Sequence, residues 1–359
     1  MRAYLPGPPF LYYGREMTTH TAVLIPGDGI GPEVSDAVLS VLEAAKAPLR
    51  FETHHAGQTA LDLKLGDTLP ESTLNAIRQH HVALKGPCTT PIGKGFSSVN
   101  VALRRTLNLY AAVRPIRNMP GVKTRFDNVD LVIVRENTEG LYSGIENVIT
   151  DGVVVSMKVA TRVACQRIAL WTFRYATHRK RRKISVFHKA NIMKLSDGML
   201  LDEARKVHKR DYPNIEYEEV IIDAAQMRMV QDPTQFDIVM CENLYGDICS
   251  DLCAGLVGGL GVTPGANIGD DDAVFEAVHG SAPDIAGKNL ANPLALLMSA
   301  AMLLKHLADT RGDEACRLAG ERIRRAYDRA LADGQKTRDI GGSLGTIEFA
   351  RAVSERLDA

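Results

Sequence analysis

At 359 residues the chain is long enough for about two domains or one large compact unit, taking about 150 residues per domain. Its 45% hydrophobic and 24% charged content excludes a disordered or collagen-like chain. Forty-three basic residues against 43 acidic ones leave no net field to draw in nucleic acid or an anionic membrane.

Residues 1–17, MRAYLPGPPFLYYGREM, lack the charged start and continuous apolar stretch of a signal peptide and read as an N-terminal extension ahead of Met17, a candidate start. TAVLIPGDGIGPEV (21–34) begins as an apolar strand, breaks at alternating glycines and resumes as a helix with a Pro-Glu entry. HVALKGPC (81–88), NVDLVIVREN (128–137), KISVFHKAN (183–191) and FDIVMCEN (236–243) are further short β-rich runs with helical patterns between them. Alternation of this kind predicts an α/β fold with a largely parallel sheet. VITDGVVVSMKVATR (148–162) turns at Asp-Gly between β-branched runs and predicts an antiparallel hairpin or arm. After 264 the pattern becomes mostly helical. LALLMSAAMLL (294–304) is too short for a bilayer and reads as a buried helix.

Six cysteines without CxxC pairs do not form a disulfide framework, so a reducing cytoplasm is the expected location. HRKRRK (178–183) lies between a helix and a strand without interleaved aromatics and reads as a solvated loop rather than a nucleic-acid patch. The glycine turn at 27–31 has G-x-G-x-G spacing, and no acidic residue clearly ends a second strand about 20 residues on, so a Rossmann site is not supported. Alone, it is a structural turn.

Asp247 and Asp251 in ENLYGDICSDL are four apart, which on a helix puts both carboxylates on one face with no cation beside them locally. Read alone they are two acids on a surface helix. A divalent cation would offset their repulsion, and Asp223, after an apolar run, is a candidate third ligand; three carboxylates without Cys or His favour Mg²⁺ or Mn²⁺ over Zn²⁺. Arg104, Arg114 and Arg135 need partners if buried, and together can grip a polycarboxylate. Tyr142, Lys189 and Asn191 complete the candidate set. Cys249 and Cys253, near Cys241, read as small buried residues packing a helix rather than as soft metal ligands.

GDGIGPEV, SSVNVALRRTLNLYAAVRP, RENTEGLYSGIE, HKANIMK, ENLYGDICSDLCAGLVGGLGVTPGANIG and HGSAPDIAGKNLANP occur in this order across about 21–345. Together they resemble the β-decarboxylating dehydrogenases, the isocitrate and isopropylmalate dehydrogenase family, and within it the NAD-dependent isocitrate enzymes. The resemblance implies that family's non-Rossmann α/β fold, with a large domain of 18–115 plus 264–359, a small domain of 116–263, and the hairpin as an intersubunit clasp. It implies substrate contacts from Ser98, Asn100, Arg104, Arg114, Arg135 and Tyr142, with Lys189, Asn191 and Asp223 supplied to the site by a neighbouring copy in a homodimer.

The same resemblance assigns Asp247, Asp251 and the neighbour's Asp223 to Mg²⁺ or Mn²⁺. It places Thr90 beside the nicotinamide and His279, Gly280, Ser281, Ala282, Asp284, Ile285 and Asn292 around the adenosine. A carboxylate at Asp284 accepts hydrogen bonds from ribose hydroxyls but repels a 2′-phosphate, so NAD⁺ is the expected cofactor. Ser98 and Asn100 suit the third carboxylate of isocitrate better than the apolar branch of isopropylmalate. Lys189 and Asp223 would assist removal of the hydroxyl proton, and Tyr142 would protonate the product of decarboxylation to give 2-oxoglutarate. The alternatives are an isopropylmalate or homoisocitrate dehydrogenase, or a regulatory subunit; the presence of Tyr142, Lys189 and all three aspartates argues against the last.

Overall fold

The computed structural model describes residues 19–90 and 98–358, so the expected extension at 1–17 lies outside the described residues. The chain begins with β1 (His20–Ile25), enters α1 (Gly31–Ala44), and passes through β2 (Leu49–Thr53), α2 (Gln58–Asp62) and α3 (Glu71–His80) to β3 (Val82–Lys85). Next come α4 (Val99–Thr106), β4 (Ala111–Arg117) and β5 (Asp130–Glu136), then a separate arm of β6 (Glu146–Thr150) and β7 (Val153–Ser156). Helices and strands then alternate through α5 (Arg162–His178), β8 (Lys183–His188), α6 (Ser196–Asp211), β9 (Glu216–Ile221), α7 (Ile222–Gln231), β10 (Ile238–Cys241) and α8 (Asn243–Leu256). The last elements are β11 (Pro264–Ile268), β12 (Ala273–Ala277), α9 (Leu294–Arg311), α10 (Glu314–Ala332) and α11 (Thr346–Ser354).

Ten strands form one sheet in the order β2-β1-β3-β12-β11-β4-β5-β10-β8-β9. Both flanks are parallel, as expected for strands joined through helices, while β12, β11, β4 and β5 run antiparallel through the middle. The sheet is continuous across the junction of the two expected domains, since β4 pairs with β5 from Ala111 to Arg117. Two strands, β11 and β12, precede the helical C-terminal part where the sequence pattern pointed to helices; both are only five residues long, which is too short to show a period.

The predicted arm is present, with β6 and β7 antiparallel around Asp151 and Gly152. Helix α9 is buried along most of its length against β3, β11, β12, α1 and α10, as a helix apolar on every face must be. The basic run HRKRRK is not a free patch: Arg179 pairs with Asp309 at 2.9 Å, and Arg181 with Asp130 at 2.6 Å and Asp237 at 2.8 Å.

Candidate active site

Three guanidiniums converge on one end of the central antiparallel strands. Arg135 on β5 lies opposite Ala112 in the ladder, and Arg114 is two residues past Ala112, so the pleat points both arginines to the same face. Arg104 reaches the region from the last turn of α4. All three are buried. Helix α8 lies over this face, and Gly246 is what lets it approach: a Cβ there would sit 2.6 Å from Cβ and Cγ of Arg135. Arg135 donates from Nε at 2.9 Å and Nη2 at 2.6 Å to the Asn243 side-chain oxygen at the start of α8.

One turn further along α8, Asp247 accepts hydrogen bonds from Arg135 and from the Tyr142 hydroxyl. Arg114 lies 3.9 Å from Asp247 and 3.8 Å from Asp251, and donates to the Ser250 hydroxyl at 3.2 Å. The cations that the local sequence around the acidic pair does not contain therefore come from β4 and β5, over one hundred residues earlier in the case of Arg135. Burial alone would raise the Asp247 pKa, but Arg135, the Tyr142 hydrogen bond and Arg114 together hold it below the usual carboxylate range. Asp251 is shifted the other way, by burial and despite Arg114. Burial and its cationic neighbours Arg135 and Arg104 bring Arg114 down to about 10. Burial, together with the hydrogen bond to Asp247, keeps the Tyr142 phenol protonated beyond its usual range.

Lys189 and Asp223 lie elsewhere, at the end of β8 and the start of α7, where Lys189 Nζ donates to Asp223 at 2.7 Å. That hydrogen bond lowers the Asp223 pKa. Asp223 is largely exposed, as is Asn191. The three aspartates do not gather within one chain. Among the described residues, the His/Cys/Asp/Glu trio able to reach a single ion is instead His20, Asp313 and Cys316. There His20 already holds Asp313 at 2.7 Å, and Asp313 caps α10 through the N–H groups of Ala315 and Cys316. Asp247 and Asp251 nevertheless offer hard oxygen donors on one helix face, with Asp251 more than half exposed. As two hard oxygen donors, one of them open to solvent, they fit a Mg²⁺ or Mn²⁺ ion that takes its remaining ligands from outside these two side chains.

At the other end of the sheet the glycine turn serves close packing. Gly29 has φ +59°, and a Cβ there would lie 2.1 Å from the Ser281 carbonyl oxygen. Asp28 in this turn is buried and accepts from the N–H groups of Gln58, Thr59 and Thr89, tying three loops together. Thr89 and Ser281 hydroxyls are 2.8 Å apart, and the Thr90 hydroxyl is 3.5 Å from that of Ser98, which caps α4. His279 lies in the loop after β12; burial depresses its pKa, and its Nε2 is buried without a partner among the described residues, an unmet polar atom suited to a bound adenosine. Gly280, Ala282 and Asp284 are exposed beside it, and Ile285 is half-buried. Asn292 accepts from the N–H of Leu294 and donates to Asp339 at 3.0 Å. No Lys or Arg pairs with Asp284 among the described residues.

Sequence reasoning missed a buried network behind Arg104. Glu276 on β12 lies directly opposite Lys85 on β3 and pairs with it at 2.7 Å, while its other oxygen accepts from Arg104 at 2.9 Å and Asn267 at 2.7 Å. Burial would raise the Glu276 pKa, but the two cations hold it far below the ordinary range. Asp28 was missed as well. The available signal was a lone charge inside each of two apolar strands, VALK and AVFEA.

The isocitrate/isopropylmalate dehydrogenase family model matches residues 21–353, and the chain belongs to that family. It is 50% identical over 342 residues to catalytic subunit 5 of the NAD isocitrate dehydrogenase of Arabidopsis thaliana mitochondria, covering 95% of this chain and 89% of that one. It is also 52% identical over 287 residues to the chloroplastic 3-isopropylmalate dehydrogenase of Solanum tuberosum, covering 80% of each. The crystal structure of isocitrate dehydrogenase from Methylococcus capsulatus superposes with a TM-score of 0.89 at 47% identity, covering 95% of this chain and all of that one.

Proposed function

We propose that the protein is a metal-dependent NAD⁺ isocitrate dehydrogenase that converts isocitrate to 2-oxoglutarate and CO₂. The observation that carries this reading is a cluster of three buried arginines, two of which, Arg114 and Arg135, face a pair of aspartates on one helix face while Arg104 is held by Glu276, a cationic pocket for several carboxylates next to an oxygen-donor pair. Arg104, Arg114 and Arg135 bind and orient the substrate carboxylates. Asp247 and Asp251 would help hold a divalent cation, which would supply charge stabilisation for the oxidised hydroxyl oxygen, and the loop of His279 and Asp284 would hold NAD⁺ as the hydride acceptor. Lys189 with Asp223 receives the hydroxyl proton, and Tyr142 returns a proton to carbon after CO₂ leaves.

Isocitrate rather than isopropylmalate is favoured by the first turn of α4. Ser98 offers a hydroxyl there, and the Asn100 side-chain oxygen is buried without a partner among the described residues. An apolar branch would leave these groups unmatched, whereas a third carboxylate can accept from the Ser98 hydroxyl and the Asn100 amide N–H. The test is kcat/KM for isocitrate, 3-isopropylmalate and homoisocitrate with NAD⁺ and Mn²⁺. Isocitrate is expected to lead, and a lead for isopropylmalate, the activity named for the potato relative, would overturn the assignment.

The active form on this reading is a dimer of two copies with shared sites. Separation of Lys189 and Asp223 from Asp247 within one chain supports it. So does the apolar surface of Val148, Ile149 and Val154 on the arm, Leu195 after β8, and Ile248 on α8. The two halves of the sheet are assigned to the large and small domains described above. Six free cysteines suit a reducing compartment, which we take to be the cytoplasm.

A further inference from the structure

On the reading just given, each chain lends Lys189 to its neighbour's site and keeps Asp247 and Asp251 for its own. The two half-sites must therefore be held in register within the chain. We propose that Lys158 and Asp197 are positioning residues that do this; the inference rests on the shared-site reading.

Asp197, in the first turn of α6, is almost fully buried, and its two oxygens do different jobs. Oδ2 accepts the backbone N–H of Lys189 at 2.7 Å, fixing that residue as it leaves β8 while its own Nζ extends to Asp223. Oδ1 accepts from Lys158 Nζ at 2.5 Å. The same ammonium lies 3.7 Å from Oε2 of Glu242 and 4.7 Å from the centre of the Tyr245 ring. Glu242 is the N-cap of α8, its Oε1 accepting from Tyr245 N–H at 2.9 Å; its Oε2 is buried and makes no hydrogen bond among the described residues, so Lys158 is the charge that balances it.

Lys158 also follows the arm by two residues. One half-buried ammonium, two residues past the arm, is therefore joined through Asp197 to the peptide of Lys189 and lies beside Glu242 at the start of the helix that carries Asp247 and Asp251. A structural ion pair needs only Oδ1 of Asp197, the oxygen on Lys158. Its second oxygen, on the Lys189 N–H itself, is what points to positioning, because a shift of about 1 Å in a reacting group can cost about a hundredfold in rate.

The test uses hybrid dimers of full-length chains carrying two different tags, one chain Lys189→Met and the other Asp247→Asn. One site of the hybrid then lacks both groups and the other has both, so activity absent from either parent is expected in the hybrid. Without such recovery the shared-site reading fails, and the present inference with it, before Lys158 is touched. Lys158→Met is then placed in one chain at a time.

In the Asp247→Asn chain, which lends Lys189 to the working site, it is expected to lower kcat about tenfold or more with the Mn²⁺ requirement unchanged. In the Lys189→Met chain, which supplies α8, it is expected to raise the Mn²⁺ concentration needed for half-activity with a smaller effect on kcat. Lys158→Arg should restore most of each loss. If Lys158→Met does not fold, Lys158→Met with Asp197→Asn replaces it, removing both charges while keeping an acceptor for the Lys189 N–H. The same loss from either position, following the melting temperature, would mean that the cluster only packs and would overturn the proposal.

Discussion

The arginine pocket and the Lys189–Asp223 edge are built on opposite plans. In the pocket, Arg104, Arg114 and Arg135 are buried, and each faces a carboxylate from a distant part of the chain. At the edge, Lys189 and Asp223 face each other at 2.7 Å on an open surface, close to exposed Ile192, Leu195 and Met227. The difference teaches which part of the chemistry one chain completes by itself. The pocket is integral to the core, so its charges hold the fold and, on the proposed reading, the substrate as well. The edge contributes little to the fold, and on the proposed dimer reading it is completed by a second surface.

The largest contrast should come from Lys189→Met and Asp223→Ala. Each is expected to lower kcat by about a hundredfold to ten-thousandfold, the usual scale for losing a general acid or base. Because the pair lies at the surface, with Asp223 exposed and Lys189 half-buried, each should leave the urea midpoint close to that of wild type. Initial rates with isocitrate and urea unfolding of the same preparations check this; unfolding at much lower urea would place the pair in the core instead. Glu276→Ala should do the reverse in its first effect. It strands Lys85 and Arg104 in the interior, with an expected cost of about 3–5 kcal/mol, read as a lower urea midpoint at unchanged slope. A midpoint unchanged from wild type would show that the pocket is not integral to the core.

What could be read in the sequence divides along the same line. The strand and glycine turn into α1, the Asp151-Gly152 hairpin and the buried α9 are local patterns, and they appear where the periodicity put them. Asp247 and Asp251 were visible as a pair on one helix face for the same reason. Their cations were not, because Arg114 and Arg135 reach them only through sheet pairing. Lys85 and Glu276 escaped notice although each is a lone charge in an apolar strand; only the register that sets them opposite each other makes them a pair. A single chain's sequence also gives no direct sign of which exposed apolar residues another copy covers, and the resemblance supplied that expectation.

Acid should weaken the core through a group outside both regions. Burial, and after it the nearby Arg311, presses the His306 pKa from 6.5 down to about 4, so the ring is neutral in the folded state where the unfolded chain would protonate it. Between those values the unfolded state binds more protons. The contribution of His306 is therefore complete above pH 6.5 and is lost as pH falls toward 4, by at most about 3 kcal/mol. Urea midpoints measured from pH 7 to pH 4 should fall less steeply for His306→Phe than for wild type; parallel curves would remove His306 from the account.

The smallest effect on the fold, and the sharpest on assembly, should come from the arm. Val148 and Val154 face each other across β6 and β7 and are 74% and 61% exposed in the single chain, so nothing in that chain explains their side chains. Val148→Lys with Val154→Glu removes the apolar face but leaves an opposite-charge cross-strand pair, worth roughly 0.2–1 kcal/mol to the hairpin, so the arm itself is retained. Thermal unfolding of the isolated chain should barely move. Sedimentation should show the dimer dissociating at higher concentration than wild type, and activity should fall at the same dilution, because Lys189 then leaves its neighbour's site. A double variant that stays dimeric and active would assign the arm's valines to some other surface, and dimer contact would then have to rest on α7, α8 and the segment after β8.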